Sequence, residues 1–290
     1  MKKLVCLISV IIMLTSCGRF GNKETTVHTS KERIISASKQ YTELMYALGL
    51  DSTLVAVDLS STYPPQVKNI QTIGYHMKLS FEGMMSLNPT QILHHGGKYS
   101  IGPEHVVKQL NELNVPLKTF NTKAKDIEST KALMREMGSY FNKEKRAEEL
   151  CQKLDADMKE ALQKVQESDT VKVVVIHYGR ATNMYLVMGA NSTAGQMLNW
   201  AGGKIPIKKR GMEKMTSPEI VAQANPDVIL LTDYGFDRLG SFNKVLQLPG
   251  VALTNAAKNG KIYRVNGHDL IYYGPRTGEN ILKLQKLIHQ

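Results

Sequence analysis

Ser80–Phe81–Glu82, followed by Asn88–Pro89–Thr90–Gln91–Ile92–Leu93, has a counterpart in Ser217–Pro218–Glu219, followed by Asn225–Pro226–Asp227–Val228–Ile229–Leu230. The copies lie 137 residues apart, measured between the glutamates at 82 and 219 or the asparagines at 88 and 225. Each copy is typical of a serine N-cap, an acidic residue in the first turn of a short helix, an Asn–Pro stop and an apolar strand. The repeat therefore predicts two related halves in one chain.

Short apolar strands alternate with helical segments on both sides of the repeat. This alternation predicts an α/β protein with two Rossmann-like lobes, residues 31–122 and 169–290, and a ligand cleft between them. The intervening residues 123–168 contain apolar positions spaced by three and four, which predicts a single long helix joining the lobes. A coiled coil or a partner-binding helix is the alternative for that segment. Two lobes around a cleft indicate a ligand-capturing protein more than a catalyst.

The N-terminal residues have the pattern of an export signal. Two lysines precede the apolar run Leu4–Leu14, and Leu14–Thr15–Ser16–Cys17 resembles a bacterial lipobox. The run is about half the roughly 20 residues that cross a bilayer as a helix, which favours a removable signal over a retained anchor. We therefore expect a signal peptide at 1–16, lipidation of Cys17 and a polar tether at 17–30, with the protein held by acyl chains on the extracytoplasmic face of a bacterial membrane.

The net charge indicates which partners are favoured, and the cysteine count indicates whether a disulfide can form. The formal net charge of +11 favours anionic partners, and no nucleic-acid recognition motif is present. A carboxylate-bearing ligand or an anionic membrane surface fits this charge better than nucleic acid. After loss of the signal peptide and lipidation of Cys17, only Cys151 remains, so we expect no intramolecular disulfide and a small buried thiol in a helix.

Four segments carry a family resemblance: residues 74–83, 101–103, 201–203 and 274–277. Together they resemble the periplasmic heme-binding proteins of ABC transporters. Those proteins belong to a wider class of substrate-binding proteins that also captures cobalamin and ferric siderophores. The resemblance covers essentially the whole chain after the signal peptide. It implies a monomeric, non-enzymatic protein that captures heme and delivers it to the permease subunits of an ABC transporter.

The resemblance also implies the iron ligands. In the heme-binding group the tyrosine of the Gly–Tyr motif, here Tyr75, ligates ferric heme, and a phenolate is a hard anionic donor suited to Fe(III). His177 ends the first strand of the second lobe, at the edge of a sheet where ligand sites occur, and is the expected second ligand. His76, His94 and His95 are the alternatives for that position.

Basic and aromatic residues are expected around the macrocycle. The arginine often found two residues after the ligating tyrosine is replaced by Met77, so Lys78 or Arg276 is expected to supply the positive charge. Arg276 is the candidate for a heme propionate, since a guanidinium binds a carboxylate through two hydrogen bonds. A structural arginine that fixes its loop is the alternative. Tyr272 and Tyr273 are expected to contact the flat ligand.

Glu82 and Glu219 have two compatible interpretations. An acidic residue in the first helical turn interacts favourably with the helix dipole. The resembled class uses one glutamate of each lobe at this motif to dock onto the permease.

Other functions are less well supported by the sequence. A ferric siderophore or cobalamin is the alternative ligand, because basic residues serve other anionic ligands equally well. A tetrapyrrole chelatase is the enzymatic alternative, since such enzymes share the two-lobed plan. Against it, the chain has no nucleophile elbow, phosphate loop or metalloprotease motif.

Overall fold

The computed structural model describes residues 32–97, 100–165, 170–180, 182–209 and 211–290. The predicted signal peptide, Cys17 and the tether lie outside the described residues. Glu32–Gln290 forms one unit of mutual contacts. Within the described residues, no helix is both long enough and apolar enough to cross a membrane.

The described residues of the first lobe form seven strands and three α-helices. They are β1 (Ile34–Ser36), α1 (Lys39–Ala47), β2 (Leu54–Val57), β3 (Gln71–Thr72), β4 (Gly74–Tyr75), β5 (Lys78–Leu79), α2 (Phe81–Met85), β6 (Gln91–Leu93), α3 (Glu104–Glu112) and β7 (Leu117–Lys118). Its sheet has the order β3–β2–β1–β6–β7, and all neighbours are parallel. Strands β4 and β5 form a separate antiparallel hairpin.

In the part of the second lobe that the structure describes, there are six strands and seven α-helices. They are β8 (Val171–Gly179), β9 (Met184–Met188), α6 (Thr193–Trp200), β10 (Gly203–Lys204), β11 (Met212–Lys214), α7 (Glu219–Ala224), β12 (Val228–Thr232), α8 (Asp233–Leu239), α9 (Phe242–Leu246), α10 (Asn255–Lys258), β13 (Ile262–Val265), α11 (Gly267–Ile271) and α12 (Thr277–Ile288). Its sheet has the order β11–β9–β8–β12–β13, with β10 also paired to β8. Strand β12 is parallel to β8 and β13, whereas β9 is antiparallel to β8 and β11.

Two helices occupy the segment between the lobes, α4 (Ile127–Tyr140) and α5 (Glu144–Val165). They are separated near Asn142, which has a φ of 55°. Helix α4 packs on the first lobe, where Tyr140 donates a hydrogen bond to Gln91, and α5 leads towards β8. The expected apolar stripe is the buried side of α5 (Ala147, Leu150, Cys151, Leu154, Met158 and Ala161). Cys151 is a free, fully buried thiol, as predicted.

Both faces of the first sheet are covered by apolar side chains. Neighbouring residues of β1 point to opposite faces, so Ile34 and Ile35 belong to different apolar clusters. The cluster of Ile34 continues through α4 and α5 to Val174 and Leu230 of the second sheet. This continuous core joins the lobes behind the cleft. The prediction of an α/β protein with two lobes is confirmed.

The repeated motif folds as two helix–strand units with one difference between the copies. Ser80 caps α2, because its hydroxyl accepts a hydrogen bond from the backbone N–H of Gly83 at 3.0 Å. In the second copy the N-cap of α7 is Pro218 without a side-chain hydrogen bond, so Ser217 is not the predicted cap. Asn88 and Asn225 both have positive φ, 46° and 33°, and both precede a proline; Asn225 is the C-cap of α7, whereas Asn88 follows the C-cap of α2, Ser86, by two residues.

Candidate functional site

The parallel strands of both lobes end at one cleft. The residues that follow β1, β2, β6, β12 and β13, together with the end of β8, line its walls. Ligand sites of α/β sheets occur at this carboxyl edge. The cavity that both lobes line most extensively, called the main cavity below, has a volume of about 280 Å³. Its lining consists of polar and aromatic side chains from both lobes, among them Lys39, Tyr75, His76, His177, Tyr178, Arg180, Asp233, Tyr234, His268 and Tyr272.

A second cavity of about 330 Å³ adjoins the first on the side of the first lobe. Lys39, Ser60, His76 and Tyr272 line both cavities, so the two form one continuous cleft. His95 lies in the second cavity, where its Nε2 pairs with the hydroxyl of Ser38 at 2.7 Å. Burial, with the Lys123 charge as a smaller cause, lowers the pKa of His95 to about 4, so its ring is neutral at pH 7.

The hairpin β4–β5 presents Tyr75 to the main cavity. Gly74 precedes it with a φ of 97°, and a Cβ there would lie 2.8 Å from the carbonyl oxygen of Lys78, so a glycine is required. The rings of Tyr75 and His76 are 4.2 Å apart. Burial and the Asp58 charge raise the pKa of Tyr75, whereas Arg180 from the opposite lobe lowers it. The ligand-free phenol is therefore protonated at neutral pH.

Asp58 holds His76 in position at the cleft. Its buried carboxylate accepts hydrogen bonds from the hydroxyls of Ser60 and Ser61, at 2.5 and 2.7 Å, and lies 3.2 Å from Nδ1 of His76. Burial alone would raise the pKa of Asp58, but the bonds from His76, Ser60 and Ser61 lower it. Asp58 is thus an anion whose charge is already matched by neighbouring donors.

His177 enters the main cavity from the second lobe. Its Nδ1 lies 3.0 Å from the hydroxyl of Thr232, which leaves Nε2 for another partner. Burial lowers the pKa of His177 to about 4, and the charge of Lys39 contributes to the same direction. A neutral imidazole at pH 7 is the form that binds metal ions. Tyr75 and His177, the two predicted iron ligands, therefore line the same cavity from opposite lobes.

Three of the predicted ligand contacts are not among the lining residues of this cleft. Lys78 is exposed beside Tyr75 on the neighbouring strand of the hairpin. Tyr273 is buried, and its ring lies 5.9 Å from that of Trp200. Arg276 is bound by carboxylates, which corresponds to the structural alternative stated for it. Tyr272, by contrast, lines both cavities, and burial raises its pKa to about 12.

Arg276 belongs to a buried network that joins the lobes. Its Nε donates to Glu43 of α1 at 2.7 Å, and its Nη2 donates to Asp269 at 2.7 Å. Glu43 also lies 2.5 Å from Nε2 of His268, and the ring of Tyr63 stacks 3.4 Å from the guanidinium of Arg276. Burial would raise the pKa of Glu43, but His268 and Arg276 lower it. The carboxylate of Glu43 is therefore an anion clamped between two second-lobe side chains.

The remaining predicted residues lie outside the cleft or at its border. Glu82 and Glu219 are both exposed, each in the first turn of its repeat helix. The hydroxyl of Ser217 is hydrogen-bonded to Glu219 and lowers the pKa of that carboxyl. His94 is buried and its Nδ1 pairs with the hydroxyl of Ser100 at 2.9 Å. Within the part of the chain that the structure describes, no group of three or more His, Cys, Asp or Glu residues could hold a bare metal ion.

Sequence reasoning missed two cations of the cleft, Lys39 and Arg180. Lys39 is the first residue of α1 and its Nζ lies 4.2 Å from the centre of the Tyr272 ring. Arg180 follows β8, stacks 3.9 Å from the centre of the Tyr234 ring and donates from Nη1 to the carbonyl of Leu59 at 3.2 Å. Both follow the carboxyl end of a parallel strand, the same signal that identified His177.

Comparisons with known proteins agree with this geometry. The model of the periplasmic binding protein family matches residues 34–267. The chain is 28% identical over 273 residues to YvrC, an ABC transporter substrate-binding lipoprotein of Bacillus subtilis, covering 93% of this chain and 83% of that one. It is 25% identical over 145 residues to a vitamin B12-binding protein of Pectobacterium atrosepticum, covering 50% of this chain and 49% of that one.

Among solved structures, the periplasmic heme-binding protein RhuT from Roseiflexus sp. RS-1, in its apo form, superimposes with a TM-score of 0.79. It is 30% identical, and the match covers 89% of this chain and 98% of that one. The family and the relatives named here are binding proteins, which confirms the prediction that this protein is not an enzyme. The chain belongs to the periplasmic binding protein family.

Proposed function

We propose that this protein captures ferric heme in the cleft and delivers it to the permease of its ABC transporter. The observation that carries the proposal is that Tyr75 and His177 line one cavity from opposite lobes. A phenolate and a neutral imidazole are a suitable axial pair for ferric iron. The heme-binding function named for the Roseiflexus structure supports the same ligand.

The protonation states of the cleft residues suit such a ligand. Because the pKa of His177 is about 4, its ring requires no deprotonation before it binds iron at pH 7. Tyr75 must lose its proton, and the positive charge of the ferric centre promotes that loss. Arg180 lowers the pKa of Tyr75 and compensates in part for the absence of an arginine at position 77.

The aromatic lining suits a flat macrocycle. Tyr178, Tyr234 and Tyr272 line the same cavity as the two ligands, and aromatic rings pack favourably against a flat conjugated surface. Cobalamin is the second candidate, because vitamin B12-binding proteins are among the relatives. Cobalamin carries its own cobalt ligands and would make no use of a tyrosinate.

Delivery of the ligand requires docking to the permease, and attachment of the protein to the membrane would keep it nearby. Glu82 and Glu219 are exposed in matching positions of the two lobes, which supports a role for both in docking to the permease. Cys17 in its lipobox context, together with the lipoprotein relative, supports lipid attachment outside the cytoplasm.

The test is an absorbance titration of the soluble chain, beginning after Cys17, with ferric heme. We expect a saturable change in the heme bands at a fixed stoichiometry. The Tyr75→Phe variant should lose the tyrosinate charge-transfer absorption and bind heme more weakly. Tyr263→Phe, in β13 and outside the lining, is the matched control and should bind like the original protein.

Two outcomes would overturn the proposal. One is a featureless, non-saturating response to heme, and the other is saturable binding of cyanocobalamin that heme does not displace. In the second case the cobalamin assignment would replace the heme assignment within the same transporter class. His177→Ala separates the ligand roles, because loss of imidazole ligation alters the spin state even where heme stays bound.

A further inference from the structure

Lys39 is a cation of the cleft for which the described residues provide no hydrogen-bonding partner. Its ammonium contacts the face of the Tyr272 ring. The charges of Asp58, Arg180 and Asp233 act on the ammonium from a distance, but none of these side chains is hydrogen-bonded to it. Asp58 is occupied by its serine and histidine donors, and Asp233 accepts a hydrogen bond from the backbone N–H of Gly267 at 3.2 Å. A partly buried ammonium without an anionic partner is costly unless a ligand supplies one.

The backbone holds Lys39 firmly at this place. Ser38 caps α1 by accepting a hydrogen bond from the N–H of Tyr41 at 3.2 Å. Gln40 donates to the carbonyl of Tyr273 at 2.6 Å, and Glu43 bonds to His268 and Arg276. The first turn of α1 is thus fixed on both sides of Lys39. Lys39 lines both cavities, and its Nζ lies 4.2 Å from the centre of the Tyr272 ring, which lines both as well.

We propose that Lys39 binds a carboxylate of the transported ligand and makes the cleft selective for macrocycles that carry free carboxylates. The inference rests on the proposed function and specifies the chemical class of its ligand. A carboxylate placed at Lys39 would form a charge-assisted hydrogen bond inside a cleft that the macrocycle shields from water. Arg180 on the opposite lobe adds a second positive charge to the same cavity.

The protonation state of Lys39 is compatible with this role. Burial lowers the pKa of Lys39 from 10.5 to about 8; among the smaller causes, Asp58 and Asp233 raise it and Arg180 lowers it. At pH 7 the ammonium is therefore still the main form. A bound carboxylate adjacent to it would raise the pKa again, so the pair would remain ionised.

The experiment is a double-mutant cycle in which one change is made in the protein and the other in the ligand. Ferric heme and its dimethyl ester, which lacks free carboxylates, are each titrated into the original protein and into Lys39→Met. We expect the original protein to bind heme about 10- to 100-fold more tightly than the ester, the range of a hydrogen bond to a charged group. In Lys39→Met that preference should disappear, because heme binding weakens while ester binding does not change.

Two further variants control the measurement. Lys39→Arg keeps the charge and should keep the preference for heme over the ester. Lys108→Met removes a lysine of α3 whose side chain is 78% exposed, and it should behave like the original protein. If Lys39→Met weakened the binding of heme and of the ester equally, or weakened neither, the carboxylate role would be overturned. Saturable heme binding by the original protein would still support the proposed function in that case. If the original protein failed to saturate with heme, the proposed function would fail and this inference with it.

Discussion

The partly buried ammonium of Lys39 should reduce the stability of the ligand-free protein. Lys39 has a pKa of about 8 in the folded chain, against an ordinary value of 10.5, because burial disfavours its charged form. Methionine has a similar length and no charge, and it can keep the contact with the Tyr272 ring. We therefore expect Lys39→Met to increase the free energy of unfolding at pH 7.

The magnitude follows from the two pKa values. Their difference corresponds to about 3 kcal/mol, at about 1.36 kcal/mol for each pKa unit. This is an upper limit, because Lys39 is only partly buried and water reduces the effect. Below pH 8 both states are protonated and the full penalty applies. Between pH 8 and 10.5 the folded state loses the proton first, so the original protein gains stability as pH rises.

The assay is urea denaturation of both proteins at pH 7.0 and pH 9.5, without ligand. The advantage of Lys39→Met should be up to about 3 kcal/mol at pH 7.0 and should fall by about 2 kcal/mol at pH 9.5, as the linkage relation requires. Taking the difference between the two proteins cancels other groups that titrate in this range, such as exposed tyrosines. An equal or lower stability of the variant at pH 7.0, or an advantage independent of pH, would refute this account of Lys39.

Three other variants test separate parts of the molecule. Glu43→Gln should cost about 1.5–3 kcal/mol in urea denaturation, because it removes one of the two carboxylates that bind buried Arg276; a loss below about 1 kcal/mol would contradict the lobe-joining network. Glu82→Ala combined with Glu219→Ala should leave the heme titration unchanged and abolish cellular uptake, and uptake that survives would exclude docking through these residues. Cys17→Ala should move the protein from the membrane fraction to the soluble fraction, whereas retention in the membrane would point to another anchor.

The sequence predicted the fold well because the fold is set by local patterns. The repeated Ser–x–Glu and Asn–Pro signals mark where helices begin and where the following strands begin. In the structure they lie at the starts of α2 and α7 and just before β6 and β12. The break between α4 and α5 was not predicted, because Asn142 interrupts a segment that is otherwise uniformly helix-forming. Asparagine tolerates the left-handed conformation, and nothing in composition alone shows where that tolerance is used.

The site was predicted only in part because its chemistry depends on pairing between distant residues. The position of His177 at the cleft was predicted from its place near the end of a strand. Lys39 follows β1 at the same edge, but a lysine at the start of a helix is usually an exposed residue. Arg276 was expected to contact the ligand. Its actual partner, Glu43, lies 233 positions away in the chain, so the sequence could not identify the pair.

Helix α1 is continuous with the first lobe, yet Gln40 and Glu43 bond it to the second. An opening movement at this contact would pull the Glu43 carboxylate away from two side chains in a buried setting, at a cost of several kcal/mol. We therefore expect the empty and loaded molecules to have nearly the same outline. The outer surface would then be the same whether or not ligand is bound. A transporter that binds both forms would have to distinguish them at the mouth of the cleft, through contact with the ligand itself.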